Sequence, residues 1–271
     1  MSVVEGMKDK KRFPEKTIRL YKRYWIKFGL RILVLAGVAV VTGLYPDEMK
    51  VLKGMGFFQH FSVLHILWAL WLWYMLEKLL PLRKWKPRGC MKHLASEYTP
   101  TQGYTEQTAV CETAYKEQRR KGQRGAGIVL AAWVLVAVIM GVLRHYRLLT
   151  DQMLLIEACL FYVGDLVCIL IWCPFRSVLM RNRCCTQCRI YNWDTLMLIL
   201  PLLYIPGFYA YSLLTGALIV VGSWELSHLL HPERFYPATN QNLRCETCRG
   251  ELGCIRFRHV RSENGKNLKK I

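Results

Sequence analysis

Long apolar blocks set apart by basic segments constrain what this chain can fold into. Each block is near the ~20 residues that a helix needs to cross the hydrocarbon of a bilayer. Lipid offers no water to an unpaired backbone, so such blocks fold as helices. We read spans at 28–45, 57–80, 126–143 and 152–172, followed by a longer apolar stretch at 195–230. That stretch is too long for one span and short for two. Pro201, Pro206 and Gly207 interrupt it, with Phe208, Tyr209 and Tyr211 close behind. It reads as a tight hairpin turning near 206–212, with the aromatics in the outer interface. A single broken helix or a re-entrant segment is the alternative. The expected fold is an all-α integral membrane protein, a six-helix transmembrane bundle.

Charge placement gives the topology. The formal net charge is +19, which suits either nucleic acid or an anionic membrane. Here cations alternate with apolar blocks, and no free-standing basic domain exists, so nucleic acid is not an expected partner. On one side, segments 1–31, 78–125, 173–193 and 232–271 carry 34 Lys and Arg, while 46–57 and 143–152 carry 4. The positive-inside rule then puts both termini in the cytoplasm, in a multi-pass protein of the plasma (inner) membrane. The charged N-terminus suggests that the first span is an uncleaved anchor.

The chain divides accordingly. Segment 1–31 is a basic interfacial helix, with Ile18, Tyr21, Trp25 and Phe28 on one face, suited to anionic lipids at the cytoplasmic surface. The first transmembrane pair is 28–80, the basic loop 81–125, the second pair 126–172, the first cysteine loop 173–193, the hairpin 194–231 and the tail 232–271. Pro87, Gly89, Pro100 and Gly103 make the first part of the basic loop irregular. A short helix follows over 105–121, with i,i+4 pairs Glu112/Lys116 and Glu117/Lys121. It is either a solvated helix or a docking helix for a cytoplasmic protein partner.

Two short stretches carry the chemistry. Arg183-Cys184-Cys185-Thr186-Gln187-Cys188-Arg189 and Arg244-Cys245-Glu246-Thr247-Cys248-Arg249 each contain C-x-x-C. Two such knuckles offer four thiolates to one tetrahedral metal. In a reducing cytoplasm, ligation is a better reading than disulfides. Cys185, Cys188, Cys245 and Cys248 are the expected ligands, with Cys184, Cys254, Cys173, His228 and His231 as further ones. The flanking Arg183, Arg189, Arg244 and Arg249 would offset the charge of the thiolates. The knuckles resemble those of zinc ribbons and rubredoxins over about a dozen residues. A transmembrane hairpin separates them, so the ribbon domain itself is not implied. Zn2+ is the expected metal, and iron or an iron–sulfur cluster the alternative.

Intramembrane carboxylates mark function or structural hydrogen bonding. Glu157 and Asp165 share a helical face with Phe161, Gly164, Cys168 and Trp172. A proton relay, a cation site or a proton donor to a quinone would use them. Glu157 and Asp165 are thus the catalytic candidates, if the chain is an enzyme at all. His60/His65 and His228/His231 lack the H-x-x-H-H box of the membrane desaturases, and Glu225-x-x-His228 lacks a second copy of its motif. These histidines read as interfacial or bundle-facing polar groups. The leading expectation is a cysteine-ligated metal that staples the last hairpin to the tail and forms a docking surface. The alternatives are a redox protein passing electrons between thiolate-bound iron and a membrane quinone, or a transporter or metal sensor.

Overall fold

The computed structural model describes residues 15–80, 92–180, 182 and 185–244, and no strand occurs among them. The α-helices follow as α1 (Glu15–Leu44), α2 (Gly56–Gln59), α3 (Leu64–Leu79), α4 (Gln102–Thr105), α5 (Ala109–His145), α6 (Asp151–Leu170), α7 (Asp194–Ile199) and α8 (Phe208–Leu230). Four are long and apolar enough to cross a membrane: α1 from Tyr21 onward, α5, α6 and α8. The other two expected spans are shorter. α3 has 16 residues. That is about 24 Å at ~1.5 Å per residue, less than the ~30 Å hydrocarbon. α7 runs on as a 3-10 helix, and the rod Asp194–Tyr204 is shorter still.

Local chemistry explains these breaks. The expected 57–80 span divides because the His65 ring turns back on the preceding loop. Its Nε2 lies 2.9 Å from the Phe57 carbonyl, and the Ser62 N–H donates to its Nδ1 at 3.1 Å. The hairpin turns at Ile205–Gly207, overlapping the start of the expected 206–212, and α8 begins at Phe208. Gly54 and Gly207 pair there: Gly54 N–H donates to Pro206 O at 2.9 Å, and Phe208 N–H to Gly54 O at 3.0 Å. A Cβ on Gly207 would fall 2.2 Å from the Leu52 carbonyl oxygen, which requires glycine. Gly54 has φ +51°, the left-handed region open to glycine.

α5 merges the expected loop helix with the third span. Gly122 and Gly125 do not break it. They let other segments approach: a Cβ on Gly125 would sit 2.5 Å from Met180 Sδ, and one on Gly122 would sit 3.4 Å from the Tyr236 ring. The pairs Glu112–Lys116 and Glu117–Lys121 form, each at 2.6 Å. Thr150 caps α6 by accepting from Met153 N–H at 3.2 Å.

The core follows helical spacing. α3 buries Leu64, Leu67, Trp71 and Met75; α6 buries Leu154, Leu155, Ala158, Cys159, Tyr162 and Leu166. α8 buries Tyr209, Leu213, Ala217, Val220, Trp224 and His228. α1 packs on α6, α3 on α8, and α7 between α6 and α8. α5 hides only 17% of its most apolar window, exposing Val134, Leu135, Val138, Ile139 and Val142. A soluble protein rarely leaves such a continuous apolar face uncovered, so lipid is its natural solvent.

Beyond α8, the tail is clamped by the loop that precedes α5. Thr101 N–H donates to Thr239 O at 3.0 Å and Gln241 N–H to Thr99 O at 2.8 Å. The Asn240 amide donates to the carbonyls of Lys92 at 3.0 Å and Arg234 at 2.8 Å. His93 stacks on Phe235, with ring centroids 4.8 Å apart. The irregular loop thus serves as a lid that fixes residues 231–244 beneath α8.

Candidate functional site

Two features converge where α6 ends and α7 begins. The first is a group of thiols. Pro174 stops α6, and the chain makes a wide turn over Phe175–Leu179. Arg176 N–H donates to Cys173 Sγ at 3.3 Å, and Arg176 Nη1 approaches Cys185 Sγ at 3.8 Å. The first knuckle closes through Cys188 N–H to Cys185 O at 3.0 Å. Burial pushes the Cys188 thiol up to about 12, against the Ile190 N–H and the Arg176 charge. Cys173 is drawn the other way, down to about 6, by the Cys168 thiol and then by backbone N–H groups and the Arg176 charge.

The knuckle also reaches the tail. Gln187, between the two cysteines, donates from Nε2 to the Leu243 carbonyl at 2.8 Å. Asn182 holds Gln187 from the other side, donating to its carbonyl at 3.2 Å. Cys184, Cys245, Cys248 and Cys254 lie outside the described residues. Among the described residues, no three of His, Cys, Asp and Glu are grouped as a metal-binding set. His228 is not beside the thiols: its Nε2 pairs with the Tyr236 hydroxyl at 2.9 Å. His231 lies 3.3 Å from Glu233. Arg189 also differs from expectation. It makes a two-pronged pair with Glu225, which also accepts from Trp193 Nε1 at 2.7 Å. This removes Arg189 as a thiolate counter-charge and explains Glu225 without iron.

The second feature is a network inside the bundle. Arg31 Nη1 meets Asp165 Oδ2 at 2.9 Å, and the same oxygen lies 3.2 Å from the Tyr74 hydroxyl. Tyr74 also donates to Asp194, which Lys78 holds through both carboxylate oxygens. The order is cation, carboxylate, phenol, carboxylate, cation, drawn from α1, α6, α3 and α7. The Arg31 guanidinium lies 3.9 Å from the Tyr162 ring centroid. Charges balance within the network, as intramembrane charges must. In the sequence, Arg31 stands near the inner end of the first span, where a long cationic side chain can snorkel, and Tyr74, Lys78 and Asp194 carry no site role. The usable signal was charge of opposite sign at similar depth on different helices.

A cavity of about 1140 Å³ joins the two features. Arg31, Asp165, Asp194, Cys173, Cys185 and Cys188 line its polar end. Glu157, Phe161, Gly164 and Cys168 line its wall from one face of α6, as their spacing implied. Trp172 does not; it is exposed. Comparison with protein-family models, curated proteins and solved structures finds no match to this chain.

Proposed function

We propose that the chain crosses the cytoplasmic membrane six times, with both termini inside, and uses Cys185, Cys188, Cys245 and Cys248 to hold one Zn2+ that staples the last hairpin to the tail. The loop charge asymmetry supports the orientation. α3 and the rod Asp194–Tyr204 serve as short crossings, and their polar network lets the ends of these helices stay inside the bundle.

The observation that carries the metal reading is the Gln187–Leu243 hydrogen bond. It ties the centre of the first knuckle to a residue two positions before Cys245. Two residues of chain reach at most about 7 Å, which supports reading the two knuckles as one site. The Arg176 guanidinium beside Cys185 favours that sulfur in its charged state, and a divalent metal would supply the same support to the buried Cys188. Bound zinc would supply a fixed tetrahedral junction. The surface built from the loop, the tail and this junction would face the cytoplasm as a docking platform.

Metal analysis of the purified full-length protein, with its visible spectrum, tests this. A colourless protein with about one zinc per chain is expected. Cys188→Ser and Cys248→Ser should each lose the metal. A coloured, reducible iron centre would overturn zinc, and metal retained in both variants would overturn the ligand set.

A further inference from the structure

The metal reading leaves the wall of the cavity unexplained. Glu157 sits six residues into α6, about 9 Å from its start at ~1.5 Å per residue, half-buried and lining the cavity. No hydrogen bond or ion pair holds its carboxylate among the described residues. Asp165, two turns further along the same face, is neutralised by Arg31, and Lys78 by Asp194; Lys27 also lines the cavity and makes no ion pair with Glu157. One turn on from Glu157 stands Phe161, whose ring meets Trp133 of α5 edge to face, with centroids 5.1 Å apart. Trp133 in turn stacks near Phe175 at 6.3 Å. The Trp133 indole N–H is buried and has no acceptor among the described residues. A Cβ built on Gly164 meets nothing within 4 Å, so the wall below Phe161 is open space.

An unneutralised carboxylate at membrane depth, beside aromatic faces in an apolar cavity, defines its complement. A carboxylate in hydrocarbon needs a cation or a proton. Aromatic faces attract cations whose hydration is weak. Apolar walls of this size take an organic molecule rather than a bare ion. We infer that this cavity binds a lipophilic organic cation, an amine or quaternary ammonium, with its charge between Glu157 and the Trp133–Phe161 pair. The inference is independent of the metal at the cysteines, because none of these residues is a proposed ligand. The ligand enters from lipid, since the α5 face beside Trp133 is exposed.

Tetraphenylphosphonium and tetraphenylborate have nearly the same shape and opposite charge, and they test the inference on the full-length protein in nanodiscs. Tryptophan quenching, corrected with empty discs, should show saturable binding of the phosphonium and none of the borate. Glu157→Gln should weaken phosphonium binding at least tenfold, about 1.4 kcal/mol. Gly164→Leu fills the open wall and leaves the charge in place, and it should weaken binding to a similar degree. Both variants should retain the wild-type elution profile and helix content; if Glu157→Gln unfolds, Gly164→Leu with the two probes still decides the matter. Equal binding of the two probes, no saturable binding at millimolar phosphonium, or wild-type affinity in the well-folded variants would overturn the inference.

Discussion

Breaking the Arg31–Asp165 pair tests whether the buried network holds the bundle together. The side chains keep 9% and 21% of their exposure and meet at 2.9 Å. At an effective dielectric of about 20, two unit charges at that distance attract by about 6 kcal/mol. Desolvation of both groups offsets most of this, so the pair is worth far less than the gross figure. The single substitutions are different, because each strands one charge. Asp165→Asn leaves Arg31 over the Tyr162 ring with no carboxylate, and Arg31→Met leaves Asp165 with the Tyr74 hydroxyl alone. Each should cost about 3–5 kcal/mol. The double variant strands neither charge and should cost less than the sum, with a coupling of about 2 kcal/mol or more. Reversible unfolding in mixed micelles of rising dodecyl sulfate fraction, followed by tryptophan fluorescence, measures all four corners of the cycle. Additivity within about 0.5 kcal/mol would refute the reasoning. It would mean that Arg31 reaches the interface by itself and Asp165 stands alone.

Other parts of the structure make their own demands. Gly207→Ala places a methyl group 2.2 Å from the Leu52 carbonyl oxygen. It should cost about 1–3 kcal/mol in thermal unfolding, and an unchanged midpoint would contradict the close crossing at Gly54. Burial raises the Tyr236 hydroxyl from 10.0 to about 12. The folded state therefore keeps its proton longer than the unfolded one, and the stability it contributes is full below pH 10.0 and is lost as pH rises toward about 12. Tyr236→Phe should flatten that alkaline loss. At neutral pH it should cost about 1–2 kcal/mol, because His228 loses its partner; an identical alkaline slope would place the loss elsewhere. Glu225→Gln leaves Arg189, with 9% side-chain exposure, short of its counter-charge. It should destabilise by about 3 kcal/mol and leave zinc content unchanged. Arg176→Met should do the reverse, with weaker zinc retention against a chelator and near-normal unfolding, because its guanidinium lies by Cys185.

The membrane character was legible because it rests on averages. Composition over some twenty residues decides whether a segment prefers lipid, and α1, α5, α6 and α8 all passed that test. The interruptions were harder, because single residues decide them. Nothing in the 57–80 run says that His65 will turn its ring onto Phe57 O and end a helix. Gly122 and Gly125 lie between the expected loop helix and the expected third span, yet they sit inside one 37-residue helix. Their missing side chains answer to Tyr236 and Met180, which lie far away in sequence. A glycine that makes room for another segment and a glycine that bends its own look the same until the partner is known.

The site divides along the same line. Residue type singled out Asp165 and Glu157 as candidates, because carboxylates in a bilayer are costly to keep without a purpose, and the C-x-x-C spacing singled out the knuckle cysteines. Partnership was not readable. Arg189 borders Cys188 in sequence, but it points to Glu225 on α8, while Arg176, nine residues before Cys185, is the cation beside its sulfur. Asp165 and Glu157 are matched by type and spacing and differ only in what faces them. Asp165 meets Arg31 and Tyr74, whereas Glu157 lines a cavity that Trp133 and Phe161 also line. The satisfied carboxylate therefore belongs to the fold. The unsatisfied one keeps its affinity for a cation from outside, and the ligand is best sought at Glu157.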